Sequence, residues 1–496
     1  TILSTGRVQG PTLELLMERE LDIRNFKSKP FWQLELHVDI DGNDVVANYE
    51  KDKIWDKDDA EDIFNKCNGK DAIVKNMQKK LYKQSPPSPF NTTGLQAEAY
   101  QLFKLSPTQT LSIAESLYQA GYISYPRSSS EKLPPSIGYQ KILKSLGKLV
   151  PYKKFVQELL KKPLHPVEGT RTDPAHPAVY ATHEVPDLKK LNMLQRKIYD
   201  LIARRTLSAF AEPATRETNT VSLDVNGNRF IIIGKRTVGL GWTKIYEPYL
   251  QMDELILPEL KIGLELKSKK LEMLSKETQP PGRYSQGSIL KELEKRDLGT
   301  KATRAEILQT LYDRGYISGK SIQVTKLGEA VVLALKEYCP QVVSEELTRH
   351  FEEEMEQVFN SKKRREKVVD EAVNILEEIL QEFKSNELKI GEKLSEGLVE
   401  VRKESNRIGV CPKCKTGELR IMFSRKTGKK FVGCGNYPNC KNAFPLPGYG
   451  MIIPLNKSCE DCSMPMIQVV RKGRRPFKMC INPKCKSKEN WGKKKS

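Results

Sequence analysis

Eight of the ten cysteines fall near the C-terminus in two sets, Cys411-x2-Cys414-x19-Cys434-x5-Cys440 and Cys459-x2-Cys462-x17-Cys480-x4-Cys485. Each set places four thiolates on two knuckles, the donor complement of a tetrahedral structural Zn²⁺. Such short stretches hold too few apolar side chains to fold without their metal. The spacing therefore predicts two consecutive zinc ribbons and two structural Zn²⁺ ions. With four sulfurs on each ion, no coordination position is left open for catalysis. Thiols paired for metal also suit a reducing compartment rather than a disulfide framework. Cys67 and Cys339 stand apart and read as ordinary buried thiols.

The charge sits in the same place. From Cys411 to Ser496 there are 20 Lys and Arg against 4 Asp and Glu, so this segment carries +16 of the net +20. A polyanion is its natural partner. Phe423, Phe431, Tyr437 and Phe477 lie between the ligands among these cations. That mixture stacks on unpaired bases while following their phosphates, although a protein-binding ribbon uses similar residues. No run approaches the ~18 apolar residues of a membrane span, and the N-terminus lacks a signal-peptide layout. The chain reads as cytoplasmic, with no membrane partner.

At 496 residues and 38% hydrophobic composition, the chain has enough apolar material for several cored domains. One pattern occurs twice. Ile113-x3-Leu117-Tyr118-x2-Gly121-Tyr122-Ile123-Ser124 matches Ile307-x3-Leu311-Tyr312-x2-Gly315-Tyr316-Ile317-Ser318 at an offset of 194. A helix with an apolar i, i+4 stripe, a glycine stop and a β-prone run describes a winged-helix-like unit. The first copy continues into Tyr125-Pro126-Arg127, whereas Gly319-Lys320 follows the second. Pro126 disfavours helix for Tyr125, so the phenol should project from extended chain or a turn. Arg127, two residues on, shares its face and can grip the oxygens of a phosphodiester that the phenol attacks. A free phenol titrates near ~10, so the site must be electropositive, and Arg127 supplies part of that field.

Gly121-Tyr-Ile-Ser-Tyr-Pro-Arg-Ser-Ser-Ser130 resembles the active-site signature of the type IA DNA topoisomerases. Other motifs follow in the family's order. Ser4-Thr-Gly-Arg-Val-Gln-Gly-Pro-Thr-Leu13, ahead of a charged helix over 14–24, is similar to Gly-Arg-Val-Gln-x-Pro-Thr-Leu. Arg171-Thr-Asp-Pro-Ala-His-Pro-Ala-Val-Tyr-Ala-Thr182 is similar to Asp-x-x-His-x-Ala-Ile-x-Pro-Thr. Thr278-Gln-Pro-Pro-Gly-Arg-Tyr284 and Gly299-Thr-Lys-Ala-Thr303 look like Thr-x-Pro-Pro-x-Arg-Tyr and Gly-x-x-x-Thr. Two departures stand out: Ala181 replaces the usual Pro, and Ser129 stands where many members have Asp.

The resemblance, strongest to archaeal topoisomerases I and III, implies an α+β multidomain torus. It carries two winged-helix-like (CAP-like) domains and a β-rich hinge domain, followed here by the two zinc ribbons. It places residues 1–30 in a first segment of a DNA-binding domain and 31–84 in the hinge domain. Residues 85–211 form the domain with the catalytic tyrosine, 212–278 return to the hinge domain, and 279–405 complete the DNA-binding domain. The ribbons take 406–450 and 451–496. Tyr125, Arg127 and His176 become catalytic residues, and Arg7, Gln9, Asp173, Arg283 and Thr303 DNA contacts. Thr303 reads equally well as a helix cap.

The implied reaction is ATP-independent cleavage and rejoining of single-stranded DNA through a 5′-phosphotyrosyl bond, relaxing negative supercoils, by a protein expected to be a monomer. Family members bind Mg²⁺ with acids of a Toprim domain that precedes the first motif. The chain opens at Thr1 inside that motif region, so it reads as the C-terminal part of a longer or spliced product, with the Toprim segment as a partner. The alternatives are the topoisomerase half of a reverse gyrase and a non-catalytic, single-stranded DNA-binding zinc-ribbon protein. Asp39 and Asp41 do not replace the Toprim acids. The alternation from Phe31 to Tyr49 around Asp41-Gly42-Asn43 makes them turn residues of a hairpin. Stretches around Val221–Ile233 and Trp242–Ile256 are expected to return to that sheet, and 345–388 to form solvated helices.

Overall fold

In the computed structural model, residues 5–471 and 473–488 are described. Ser4 of the opening motif and the basic tail beyond 488 lie outside them. The first compact unit takes in Thr1–Arg314, Ser318–Gln323 and Ser344–Val368. The second comprises Gly315–Ile317, Val324–Val343 and Val369–Ser496.

The first unit is built on one antiparallel sheet. Its strands are β1 (Pro30–Ile40), β2 (Asn43–Tyr49), β3 (Ala72–Gln84), β4 (Ala214–Val225), β5 (Asn228–Gly239), β6 (Glu265–Leu266) and β7 (Ser268–Glu277), in the order β6-β3-β4-β5-β2-β1-β7. Asp41 and Gly42 turn the first hairpin with φ of 51° and 81°, and Asn226 and Gly227 turn β4 into β5 with φ of 49° and 80°. Two consecutive left-handed residues give a turn whose twist matches the strands, which is why Asp-Gly and Asn-Gly stand there. Asp39 accepts the Gly42 N–H at 2.8 Å and pairs with Lys269, so it is a turn residue, as its sequence context indicates. The buried face carries Leu34, Leu36, Val38, Val221, Leu223, Phe230 and Ile232. Helix Lys57–Cys67 covers it, and the Cys67 thiol donates to the Val225 carbonyl while burial pushes it up to about 11.

The stretch Trp242–Ile256 does not supply a strand. Trp242, Ile245 and Tyr246 are spaced as a helical turn, form Thr243–Tyr246 with their side chains buried, and leave only Leu255 bridged to Lys235. The sheet is instead completed by β3, β6 and β7. Because β3 pairs with β4 along its whole length, residues 85–213 are an insertion between two neighbouring strands.

That insertion has its own helical core. Helices α1 (Gln9–Asn25), α2 (Thr92–Phe103), α3 (Pro107–Gln119) and α4 (Met193–Ser208) are the ones that matter below, the last three belonging to the insertion. Ser106 and Gln109 form a capping box at the start of α3 with Pro107 in its first turn, and Gly121 beyond its end has φ 79°. Leu117, Ile123, Leu143, Ile198, Leu201 and Ile202 fill the core.

In the second unit, helix Lys326–Tyr338 packs on helix Glu387–Ser405. A four-stranded and a three-stranded sheet follow and share one apolar cluster containing Ile408, Leu419, Val432, Ile467 and Val469. Helix Glu345–Phe359, which belongs to the first unit, and helix Arg365–Ser385, which runs from the first unit into the second, are mostly solvated, as expected. No helix among the described residues is long and apolar enough to cross a membrane.

Candidate active site

Residues 124–130 alternate strictly. Ser124, Pro126, Ser128 and Ser130 are buried, while Tyr125, Arg127 and Ser129 face outwards. This is the two-residue periodicity of extended chain that Pro126 imposes. The buried face is locked by hydrogen bonds. Thr92 at the start of α2 donates its hydroxyl to the Pro126 and Ser128 carbonyls at 2.7 and 3.0 Å and accepts the Ser128 N–H at 2.8 Å. Ser124 donates from its hydroxyl to the Ala178 carbonyl at 2.9 Å and from its N–H to the Tyr180 carbonyl at 2.9 Å. Ile123 bridges Ala181, which fixes the loop of His176 beside the tyrosine.

The outward face gathers the predicted residues. The Tyr125 ring lies 4.6 Å, centroid to centroid, from the His176 imidazole and 5.3 Å from the edge-on ring of Tyr118. No hydrogen bond holds its hydroxyl among the described residues. The Arg127 guanidinium is not free. Its Nε donates to Glu115 at 2.9 Å, its Nη2 approaches the same carboxylate at 2.7 Å, and its Nη1 donates to the Ala302 carbonyl at 3.0 Å.

Asp173 organises the loop. One carboxylate oxygen accepts the Ala175 and His176 N–H groups at 3.0 and 3.2 Å. The other accepts the N–H and hydroxyl of Ser129, both at 3.0 Å, and pairs with Lys301. Burial works to raise this carboxyl. The Lys301 ammonium, the Ser129 and Ala175 N–H groups and the Ser129 hydroxyl outweigh burial and hold it well below the usual carboxylate range. The carboxylate here belongs to Asp173, and Ser129 is its donor.

Through Lys301 and Ala302, the structure brings the 299–303 turn to Tyr125. The Thr303 hydroxyl accepts the Thr300 N–H at 3.0 Å and makes no side-chain cap on the following helix, so the helix-cap reading fails in its usual form. Gly299, with φ 65°, lies against Val8; a Cβ there would come within 3.2 Å of the valine. Arg7 pairs with Glu352 at 2.9 Å, and Gln9 accepts from Arg314. Arg283 is held elsewhere, bidentate on Glu20 of α1 at 2.8 and 3.0 Å. Helix α1 begins at Gln9, five residues before the expected start.

Two participants, Glu115 and Lys301, were missed although both stand inside quoted motifs. A signal for the first was present: at the offset of 194, Glu115 corresponds to Gln309, so only the copy carrying Arg127 has a carboxylate at that position.

The carboxylates of Glu115 and Asp173 in this region are engaged by Arg127 and Lys301. The described groups of three or more metal-ligating side chains lie elsewhere. As they stand, Glu115 and Asp173 offer a Mg²⁺ ion no unpaired carboxylate.

The cysteine sets do fit zinc. Sulfur pairs lie 3.8 Å (Cys411–Cys440), 3.6 Å (Cys414–Cys434), 3.6 Å (Cys459–Cys485) and 3.4 Å (Cys462–Cys480) apart. A tetrahedron with Zn–S of ~2.3 Å has edges of ~3.8 Å. The Gly417 N–H donates to Cys414 and the Asn442 amide to Cys411, both at 3.3 Å. Led by that Gly417 N–H, the surroundings bring Cys414 down to about 6. Beside the first set, Met422, Phe431, Tyr437 and Lys441 line a groove, with Tyr437 and Phe423 exposed.

Residues 1–370 match a family described as DNA topoisomerase, and residues 408–449 match the topoisomerase DNA binding C4 zinc finger. The chain is 44% identical to DNA topoisomerase 1 of Pyrococcus horikoshii over 98% of its length and 71% of that protein's. It is 41% identical to DNA topoisomerase 1 of Methanothermobacter thermautotrophicus over 100% of its length and 66% of that protein's. In fold it is similar to full-length topoisomerase I of Thermotoga maritima, with a TM-score of 0.63 over 92% of this chain and 73% of the other, at 24% identity.

Proposed function

The chain belongs to the type IA DNA topoisomerase family, and from that premise we propose that Tyr125 is the nucleophile of an ATP-independent break-and-rejoin reaction on single-stranded DNA. The phenol loses its proton, its oxygen bonds to phosphorus, and the bond from phosphorus to the 3′ oxygen breaks, that oxygen taking up a proton. A 5′-phosphotyrosyl link remains. The covalent bond keeps the energy of the phosphodiester, so the reverse attack by the 3′ hydroxyl reseals the strand without ATP. Between the two steps a second strand passes and negative supercoils relax. Arg127 steadies the phosphate as negative charge builds in the transition state. His176 holds the phenol ring, and Asp173 holds His176 through its N–H.

The observation that carries this reading is the alternation at 124–130. It presents a phenol with an unengaged hydroxyl beside a guanidinium, on backbone fixed from behind. The ribbons hold structural zinc and contribute affinity for unpaired DNA, with the protein acting as a monomer. Catalytic Mg²⁺ is held by acids of a Toprim segment, Glu115 and Asp173 being paired with Arg127 and Lys301. The test is covalent trapping of 3′-labelled oligonucleotide: a protein–DNA adduct sequenced to Tyr125, absent in Tyr125→Phe while binding is kept, is expected. An adduct that survives Tyr125→Phe would assign the nucleophile elsewhere.

A further inference from the structure

We propose that the solvated face of the seven-stranded sheet holds a divalent transition-metal ion of the zinc class, bound by His37 Nε2 and the carboxylates of Glu35 and Glu272. Glu35 on β1 and Glu272 on β7 stand directly opposite one another in the antiparallel register. Like charges so placed destabilise a strand pair unless a cation lies between them. His37 is two residues from Glu35 and on the same face. One ligand atom from each of the three lies within 4.8 Å of the other two.

The imidazole is prepared for a metal rather than for a second hydrogen bond. Its Nδ1 is 2.9 Å from the Asp44 carboxylate on β2, which selects the tautomer with the proton on Nδ1. The lone pair is then on Nε2, directed at the two glutamates. Nε2 is buried and has no hydrogen-bond partner; the nearer Glu272 oxygen, at 3.6 Å, is beyond hydrogen-bond distance. A carboxylate behind the imidazole and a bare nitrogen in front is the outer-shell arrangement of histidine metal ligands.

One imidazole with two carboxylates favours a first-row transition ion over Mg²⁺ or Ca²⁺, and water completes the shell. Lys270, 2.6 Å from Glu272, and Lys276, 3.7 Å from Glu35, balance the charge in the metal-free sheet. Both are about half exposed and can swing into solvent when the ion enters. The ion would pin edge strand β7 onto β1 just before the chain leaves the sheet for Arg283.

The full chain, dialysed against Zn²⁺ alone and analysed for metal, is expected to hold one equivalent more than His37→Ala. Because both proteins keep all eight ribbon cysteines, the difference is independent of ribbon occupancy. Glu35→Gln, which keeps the size of a partly exposed side chain, should lose the same equivalent. Asp44→Asn should weaken this site roughly 10–100-fold. Equal metal counts in the wild type and His37→Ala, or retention of the extra equivalent by Glu35→Gln, would overturn the assignment.

Discussion

Replacing Asp173 by Asn should loosen the loop that carries His176 without unfolding the domain. The carboxylate accepts three backbone N–H groups, from Ser129, Ala175 and His176, together with the Ser129 hydroxyl and the Lys301 ammonium, and its side chain is 1% exposed. Asparagine offers one acceptor oxygen instead of two. Whichever way its amide turns, an NH2 group faces donors on one side. A hydrogen bond to a charged group contributes about 1.5–3 kcal/mol. Stranding the partner of a buried ion pair costs about 3–5 kcal/mol, and the 29% exposure of Lys301 brings this case below that range. A local loss of roughly 2–4 kcal/mol follows.

Because 1.4 kcal/mol is a factor of ten, hydrogen exchange at the amides of Ser129, Ala175 and His176 should accelerate by about 30- to 1,000-fold. Amides of β1 and β4 should stay as protected as in the wild type. The wild-type pH dependence follows from the sign of the shift. A carboxyl whose folded pKa lies below its unfolded value contributes fully above the unfolded value, near ~3.9, and loses its contribution only as pH falls through the folded one. Between pH 7 and pH 5 the corrected protection of these amides should therefore be flat. Less than a threefold change in the variant, or equal acceleration across the sheet, would refute Asp173 as the local organiser.

A strong chelator should remove about two equivalents of zinc and expose the amides beyond about residue 405 while those of the large sheet stay protected, read by metal analysis and exchange mass spectrometry. Truncation near Asn406 should weaken binding to single-stranded DNA and flatten its dependence on salt, since +17 of the charge lies beyond it; an unchanged affinity and slope would mean that the ribbons do not hold DNA. Glu115→Gln should do the reverse at the active site. With Arg127 released, a short oligonucleotide should bind more tightly and the slope of log K against log salt steepen by about 0.7, one phosphate contact on a single strand.

The parts of the site legible in the sequence were those with a backbone cause. Pro126 dictates extended chain, so the shared face of Tyr125 and Arg127 followed from spacing alone. Asp-Gly dictated the first hairpin in the same way. What could not be read was pairing across the fold: Lys301 reaches Asp173 over 128 residues, and nothing local marks it. The sheet shows the same limit. Its hairpins were recognisable, but the return of the chain at β3, β6 and β7 depends on which edges remain open. Alternation over Trp242–Ile256 predicts a return to the sheet, whereas the spacing of Trp242, Ile245 and Tyr246 is helical.

The ion pairs separate the arginines that resemblance assigns to DNA contact, Arg7 and Arg283, and to catalysis, Arg127. Arg7, Arg127 and Arg283 each face a carboxylate, so a phosphate competes with that carboxylate for the guanidinium. The cost of exchange is set by what the departing arginine leaves behind. Glu352 and Glu115 are 19% and 37% exposed in their side chains, so water can solvate them once Arg7 or Arg127 turns to a phosphate, and pairs of this kind contribute only about 0–1 kcal/mol. Glu20 is different. Its side chain is 5% exposed, and losing both hydrogen bonds from Arg283 would leave a buried, unpaired charge at a cost of about 3–5 kcal/mol. The neighbouring backbone is clamped as well, since Arg19 donates to the Gly282 carbonyl at 2.7 Å and to the Tyr284 hydroxyl at 2.8 Å while lying over that ring. Arg283 is therefore built to fasten 282–284 to α1, and the exchangeable cations are Arg7 and Arg127, of which Arg127 alone lies two residues from the phenol.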